Sequence, residues 1–271
     1  MVAHRDIEPD PGQTPLSNRG LEICDVLSRS GFATVEELGA RLGVSTATIR
    51  RELTRLEETG KVLRTHGGAR IAQMPGWTLP QAVRTTIHKR EKIAIARAIG
   101  DMIAEKECVM IDAGTTMLEV ARVLAGRKDL SFVTVGLGTA NVLENEQVDR
   151  FVLIGGDFCP HNQSFSGPLA RDALRRIRSD SALLSTAGID LERGVTTMAD
   201  LDVAATQRTI IEGARRVIIG ADHTKFTSSA YAVVTPLDQI DTIVTGSSID
   251  DETAARIESF GVKLVRAQEA P

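Results

Sequence analysis

The sequence predicts an α/β protein with two domains, a small winged helix-turn-helix followed by a larger Rossmann-like domain. Three short helical patterns and a glycine-containing hairpin succeed one another between residues 16 and 70. From residue 89 onward, short apolar runs alternate with helical stretches, as is typical of a parallel sheet covered by helices. The length of 271 residues is ample for two hydrophobic cores.

Four segments are expected from these patterns. Residues 1–15 are predicted to be a disordered lead-in, residues 16–70 the winged helix-turn-helix, 71–88 a linker, and 89–271 the large domain. The lead-in lacks the apolar core of a signal peptide, and no apolar run is long enough to cross a bilayer. We therefore expect a cytoplasmic protein without a membrane partner.

The three N-terminal helices are predicted from apolar spacing and capping signals. Apolar residues around Ile23 fit the first helix, and "TVEELGARLG" begins with Thr34 and Glu37 at capping-box spacing. Ser45 is placed to cap a third helix that buries Ile49, Leu53 and Leu56. Two short helices joined by "LGVS" make a helix-turn-helix, whose second helix can enter a DNA major groove.

The third helix carries hydroxyls and arginines away from its apolar stripe. Residues in its first turns are expected to face base edges, and these are Ser45, Thr46, Thr48 and Arg51. Arg50 and Arg55 lie on the flanks, where contacts to phosphates orient a protein without reading sequence.

A basic hairpin is predicted immediately after this helix, in "GKVLRTHGGAR". Gly67 and Gly68 permit a tight turn, and the donors offered to a DNA backbone or minor groove are Arg64, His66 and Arg70. Residues 16–70 carry nine basic and seven acidic side chains on an otherwise acidic chain. Charge alone favours a solvated helical bundle used for dimerisation. The succession of turn, arginine-bearing helix and hairpin instead favours binding of double-stranded DNA.

In the large domain, the turns that follow strands are the candidate ligand sites. In "MIDAGTT", Asp112 ends a strand, Gly114 permits a close turn, and Thr115 and Thr116 begin a helix whose free N–H groups suit a phosphate. The plainer alternative is that Thr115 only caps that helix. Asp222 and Lys225 follow another strand and could hold a sugar hydroxyl and a phosphate, or could form an ordinary surface ion pair.

Cofactor and metal sites are not predicted. "GLGTAN" lacks the third glycine of a dinucleotide-binding turn and does not follow the first strand of the domain. Cys24, Cys108 and Cys159 never occur in C-x-x-C spacing, and the five histidines form no metal-like pair. A redox or metal sensor is therefore disfavoured.

Both halves of the chain resemble the DeoR family of transcriptional regulators. "VSTATIRRELTRLEETGKVLRTHGGA" closely resembles the family's helix-turn-helix signature, and the matching features of the large domain are DAGTT, GG followed by SGP, "GIDLERGVTT" and ADxxKF. The resemblance implies a fold akin to ribose-5-phosphate isomerases and a phosphorylated sugar as effector. It implies an effector pocket formed by Asp112, Gly114, Thr115, Thr116, Gly156, Asp222 and Lys225.

The sequence departs from the family pattern in three places. Glu52 stands where the signature usually has Asp, Val135 and Gly136 replace an Asn-Ser pair, and Ala205 and Gln207 replace an acid and a lysine. The last two departures alter contacts that would select the sugar.

The expected function is a repressor whose DNA affinity is controlled by a phosphorylated sugar, acting as a homodimer or homotetramer. The alternative is a sugar-phosphate isomerase with a DNA-binding appendage, for which Asp112, Asp190 and Asp222 are the candidate bases.

Overall fold

The computed structural model describes residues 17–30, 32–59, 61–65, 67–71, 81–197, 200–227 and 230–269. The chain forms two compact units, Met1–Gln73 and Met74–Pro271. The expected lead-in and most of the expected linker lie outside the described residues. The last part of the linker range contains a short helix, α4 (Gln81–Thr86).

The N-terminal unit is a winged helix-turn-helix, as the sequence predicts. Its helices are α1 (Asn18–Ser30), α2 (Val35–Leu42) and α3 (Thr46–Glu58), and its strands are β1 (Ala33–Thr34), β2 (Val62–Thr65) and β3 (Gly68–Ile71). The strands form one antiparallel sheet in the order β1-β3-β2. Gly68 lies so close to β1 that a Cβ there would stand 2.3 Å from the carbonyl oxygen of Ala33.

Capping residues set the limits of the two central helices. Thr34 and Glu37 form the complete capping box at the start of α2, and Gly43 ends it in the left-handed conformation with φ of 64°. The core beneath is formed by apolar residues of all three helices, including Ile23, Leu38 and Leu53, which are fully buried. Short caps on both sides of the turn thus fix the direction of α3.

The C-terminal unit contains a seven-stranded sheet in which every neighbouring pair is parallel. Its strands are β4 (Cys108–Ile111), β5 (Ser131–Thr134), β6 (Phe151–Leu153), β9 (Ser179–Ser185), β12 (Ala214–Gly220), β14 (Thr242–Gly246) and β15 (Lys263–Ala267). Short antiparallel strands form two separate small sheets, one of β7 (Asp157–Cys159) and β8 (Ser164–Ser166), the other of β10 (Gly188–Asp190), β11 (Gly194–Thr197) and β13 (Ala232–Thr235).

Helices cover both faces of the sheet. The remaining helices are α5 (Lys89–Gly100), α6 (Thr115–Leu124), α7 (Leu137–Asn145), α8 (Gly167–Leu174), α9 (Leu201–Glu212) and α10 (Asp251–Glu258). Side chains from α5, α6 and α7 pack on one face with Ile111 and Leu183, whereas those from α8, α9 and α10 pack on the other with Met110 and Leu184. Because successive strand residues point to opposite faces, near-continuous apolar strands are required here.

The strand order β15-β14-β12-β9-β4-β5-β6 creates a topological switch point. The chain runs outward from β4 through β5 to β6, and then returns to the opposite side of β4 to form β9. Ligands of open α/β sheets bind in the crevice at such a point, beyond the carboxyl ends of the strands. The turn after β4 therefore occupies the position where this topology favours a ligand.

Candidate DNA interface and effector site

The face of α3 opposite the core is exposed and basic. Ile49, Leu53 and Leu56 are buried, and the residues that are exposed include Thr46, Ala47, Arg50, Arg51, Thr54 and Arg55. The arrangement agrees with the helical spacing used to choose the DNA-facing side chains. Whether those side chains contact DNA stays a prediction.

Ser45 has a structural role in addition to its predicted contact with DNA. Its hydroxyl caps α3 by accepting a hydrogen bond from the N–H of Thr48 at 3.3 Å, and the hydroxyls of Ser45 and Thr48 lie 2.9 Å apart. These two hydroxyls are thus engaged at the helix start, which leaves the arginines as the long donors of this face.

The wing meets α3 through one of its arginines. Arg64 donates to the hydroxyl of Thr54 at 3.3 Å, and Arg64 and Arg70 are both exposed. His66, also predicted to contact DNA, lies outside the described residues. Gly67 has φ of 82°, the left-handed conformation expected at the tip of a tight hairpin.

Glu52, one of the departures from the family pattern, is buried and accepts a hydrogen bond from the hydroxyl of Ser17 at 2.8 Å. Ser17 also accepts from the N–H of Gly20 near the start of α1. The extra methylene relative to Asp is accommodated by this link between α3 and α1.

Asp112 lies at the switch point, directly after β4, and is only 4% exposed. Its carboxylate accepts a hydrogen bond from Nε2 of Gln207 at 2.7 Å. Burial raises the pKa of Asp112 to about 6, against opposing hydrogen bonds from Gln207 and the backbone of Ala113. Among the described side chains, Oε1 of Gln207 is buried without a hydrogen-bond partner. Two acceptor groups thus lie buried together at the switch point.

Replacing Asp112 with Asn is expected to stabilise the protein at neutral pH. The carboxyl ionises near 3.8 in the unfolded chain and near 6 in the folded one, so wild-type stability falls as pH rises between these values and then levels off. The difference between the two pKa values corresponds to a loss of about 3 kcal/mol in the free energy of unfolding. Thermal unfolding at about pH 7.5 and pH 4 checks this: the advantage of the variant should vanish at the lower pH. An equal advantage at both values would contradict the assignment.

The turn from β4 into α6 leaves the first turn of the helix without a side-chain cap. Gly114 is the N-cap residue, with φ of 126°, and a Cβ there would lie 2.1 Å from the Ser185 hydroxyl of the neighbouring β9. Within the described residues no side chain caps this helix, so the alternative in which Thr115 caps it is wrong. Uncapped N–H groups and the helix dipole favour an anion here.

Thr115 and Thr116 are 6% and 5% exposed and begin α6. Ser185 donates to the carbonyl oxygen of Ala113 at 2.8 Å, and Thr139 donates to that of Asp112 at 3.2 Å. Hydroxyls from two neighbouring segments thereby hold the backbone of the turn in place.

Asp222 follows β12 and is 2% exposed, so the alternative of a surface ion pair with Lys225 is wrong. Burial acts to raise the pKa of Asp222, but Lys225, the hydroxyl of Thr224 and Lys92 outweigh it and hold the pKa below its usual value. Thr224 donates to the carboxylate through both its hydroxyl and its N–H. A negative charge is thus fixed two strands away from Asp112.

The distance between these two positions suits a small phosphorylated ligand. The strand β9 separates β4 from β12, and neighbouring strands lie about 4.8 Å apart. Asp112 and Asp222 therefore belong to turns separated by about 10 Å across the sheet edge. Gly156 follows β6 on the other side of β4, where its backbone packs closely against Ser166 and Ala170.

Two further residues belong to this site, Lys92 and Gln207. The sequence patterns did not indicate Lys92, and they left the role of Gln207 open. The Lys92 side chain is buried in α5 and donates to the carbonyl oxygens of Arg84 and Ile87. Burial lowers its pKa to about 8, although Asp222 raises it. Lys92 had no signal because it precedes the strand-end turns by many residues, whereas Gln207 was noted only as a departure from the family pattern.

The second departure, Val135 and Gly136, brings backbone rather than polar side chains to the end of β5. The N–H of Gly136 donates to the hydroxyl of Thr134 at 3.0 Å, and a Cβ on Gly136 would stand 3.1 Å from Cα of Ala113. Close approach to the β4–α6 turn accounts for glycine at this position.

A separate cavity of about 510 Å³ opens at the amino ends of β4, β5 and β6, near Cys108, Ser131 and Phe151. None of the predicted effector residues lines it. In the described part of the chain, no helix combines the length and apolar character needed to cross a membrane.

Comparison with known families gives a match for each half of the chain. Residues 19–74 match the DeoR-like helix-turn-helix domain, and residues 87–247 match the DeoR C-terminal sensor domain. The second match alone covers more than half of the sequence.

Several curated proteins are similar over nearly the whole chain. Transcriptional repressor AccR of Agrobacterium fabrum is 36% identical over 91% of this chain and 94% of its own length. A putative aga operon transcriptional repressor of Escherichia coli O157:H7 is 30% identical over 97% of this chain and 98% of its own length. The glycerol-3-phosphate regulon repressor of Escherichia coli K12 is 32% identical over 82% of this chain and 88% of its own length.

Among solved structures, ribose 5-phosphate isomerase A from Methanocaldococcus jannaschii aligns with 10% identity and a TM-score of 0.39, over 51% of this chain and 55% of that one. The two domain matches and the relatives, taken with the winged helix and the parallel sheet, establish the family. The chain belongs to the DeoR family of transcriptional regulators, with an N-terminal helix-turn-helix domain and a C-terminal sensor domain.

Proposed function

We propose that the protein is a transcriptional repressor of carbohydrate-metabolism genes whose affinity for operator DNA is controlled by a phosphorylated sugar or related metabolite. The observation that carries the proposal is the uncapped start of α6 at the switch point, next to the buried carboxylate of Asp112. A phosphate and a sugar hydroxyl have complementary partners there within one turn.

The DNA-binding half rests on the exposed face of α3 and on the wing. Arg51 lies where the first turns of a recognition helix reach base edges, and Arg50 and Arg55 are exposed on the flanks. Arg64 and Arg70 extend the basic surface onto the wing. Three similar proteins are named as repressors, which favours repression over activation.

The effector-binding half uses two turns of the sensor domain. The N–H groups at the start of α6, with Thr115 and Thr116, would hold the phosphate. Asp112 and the unpartnered oxygen of Gln207 would accept hydrogen bonds from hydroxyls, while Asp222 and Lys225 would contact the far end of the ligand. One similar protein is named for glycerol-3-phosphate, a small phosphorylated polyol of this chemical class.

A single winged helix buries too little surface for tight specific binding, so the active form is expected to be a dimer or tetramer on repeated half-sites. Control of affinity then requires that the effector bind the DNA-competent and DNA-incompetent states with different affinities.

The test begins with selection of duplexes from a random DNA pool by the full-length protein. The selected duplex is then titrated by fluorescence anisotropy at fixed salt, with and without a panel of pentose, hexose and triose phosphates. We expect sequence-selective binding and a change in affinity of about 5–150-fold with at least one phosphorylated compound. The matching unphosphorylated sugar serves as the control and should have no effect.

Two results would contradict the proposal. One is binding of all duplexes with equal affinity, and the other is an unphosphorylated sugar acting as well as its phosphate. Conversion of a sugar phosphate into its isomer by the purified protein would instead favour the isomerase alternative, in which Asp112, Asp190 or Asp222 acts as the base.

A further inference from the structure

A cluster of two imidazoles and one buried carboxylate lies at the start of α5. It is formed by His88, Glu91 and His223, and one potential ligand atom from each residue lies within 4.8 Å of the others. Glu91 and His223 are 132 positions apart in the chain, so no local sequence pattern indicates that they are close in space. We propose that these three residues bind a divalent transition-metal ion of the zinc class.

The residue types fit this ion. Zinc and its neighbours in the first transition series take imidazole nitrogen and carboxylate oxygen together, and two histidines with one glutamate is an established ligand set that leaves a position for water. His88 and Glu91 stand three positions apart at the N-cap and first turn of α5, and His223 begins the short helical turn after β12. Two segments thus supply the ligands.

The carboxylate is held in place before any ion binds. Glu91 is 4% exposed; its Oε1 accepts a hydrogen bond from the backbone N–H of His223, and its Oε2 lies 2.8 Å from Nδ1 of the same residue. A Cβ on Gly246 would stand 2.3 Å from one of these oxygens, so glycine at the end of β14 provides the space that the carboxylate occupies. A cation stabilises a carboxylate that is buried in this way.

The two imidazoles are already adjacent. The rings of His88 and His223 meet edge to face with centroids 4.8 Å apart. His88 is half-buried, and a neutral imidazole binds a metal through its free ring nitrogen. The backbone of His88 has φ of 50°, a conformation that a residue other than glycine seldom adopts and that functional sites often retain.

Only small movements are needed to reach metal geometry. Bonds of about 2.0–2.2 Å in a tetrahedron place ligand atoms roughly 3.3–3.5 Å apart. The 2.8 Å contact between Glu91 and His223 must therefore open by about 0.5 Å and the widest separation must close by about 1.3 Å. Rotation of the two imidazole side chains provides movements of this size.

Other charged groups surround the cluster. Asp222 and Lys92 both act electrostatically on His88, with opposite effects on its pKa, and Lys225 acts on Asp222. The negative charges of Glu91 and Asp222 equal the positive charges of Lys92 and Lys225. The site therefore has no net charge before the cation binds. The bound ion would tie the start of α5 to the turn that carries Asp222 and Lys225.

The test uses full-length protein prepared without a histidine tag, stripped with a chelator and titrated with zinc in competition with a chromophoric chelator. We expect one equivalent of zinc per chain. His88→Ala and His223→Ala should each weaken binding by about 100-fold or more, and Glu91→Gln by at least about 10-fold. His161→Ala removes a histidine outside the cluster and should bind like the wild type.

A second measurement does not depend on the folding of any variant. X-ray absorption of the zinc-loaded wild type should show nitrogen and oxygen ligands, including two imidazoles, and the cobalt(II) form should lack thiolate charge-transfer absorption. Sulfur in the coordination shell would overturn the proposal, since it would assign the ion to the cysteines. Absence of stoichiometric binding, or equal binding by a His88→Ala/His223→Ala double variant, would overturn it as well.

Discussion

Arg51→Ala is expected to weaken binding to the selected operator by about 10- to 100-fold and to remove discrimination at one base pair. Arg51 is exposed on the face of α3 opposite Ile49, in the second turn of the helix after its Ser45 cap. A bidentate contact from this position accounts for the expected loss. Anisotropy titrations measure the affinity for the operator and for duplexes in which each base pair is replaced in turn by the other three. They report both the loss of affinity and the loss of discrimination.

Arg50→Ala provides the matched comparison, because it removes the same charge from the adjacent position. It should weaken binding to all duplexes alike and reduce the slope of log affinity against log salt concentration by about one. Arg215→Ala, an exposed arginine of the sensor domain, should change neither property. Unaltered operator binding by both Arg50 and Arg51 variants would show that α3 does not carry the interface.

Gly114→Ala is expected to abolish the response to effector and to destabilise the sensor domain. Its φ of 126° is unfavourable for alanine, at a backbone cost of about 1–3 kcal/mol, and the new Cβ would stand 2.1 Å from the Ser185 hydroxyl. Relief of that contact must move the first turn of α6 or the end of β9, where the phosphate is expected to bind. Thermal unfolding and DNA titration with effector report the two effects.

Gly126→Ala is the control for this substitution. Gly126 lies just beyond the other end of α6, its φ is not positive, and a Cβ there meets no atom within 4 Å. It should leave both stability and effector response close to wild type. A Gly114→Ala protein that responds like the Gly126→Ala protein would exclude the β4–α6 turn from effector binding.

Much of the fold follows from local sequence signals. Thr34 with Glu37, and Ser45, set the limits of α2 and α3 through caps that act over three residues. The short apolar runs of the large domain correspond to the strands of the parallel sheet, because a strand covered by helices on both faces must be apolar throughout. Asp112 could be singled out because it follows one of those strands directly.

The remainder depends on contacts that no local pattern encodes. Gln207 reaches Asp112 across 95 positions, and its effect on the site follows from the packing of α9 against the sheet. Lys92 lies near Asp222, and His88 lies beside His223, although each pair is far apart in sequence. These pairs meet because the strand order brings α5 next to the turn after β12. Polar clusters of this kind are specified by topology, which periodicity does not reveal.

The central claim is that binding of a phosphoryl group at the β4–α6 turn changes the affinity of α3 for DNA. The most direct test titrates operator DNA with wild-type and Thr115→Ala/Lys225→Ala protein, each with and without the phosphorylated effector found by screening. We predict that the effector shifts the affinity of the wild type and leaves that of the double variant unchanged, with equal DNA binding by both proteins in its absence. An identical shift in the two proteins would contradict the account.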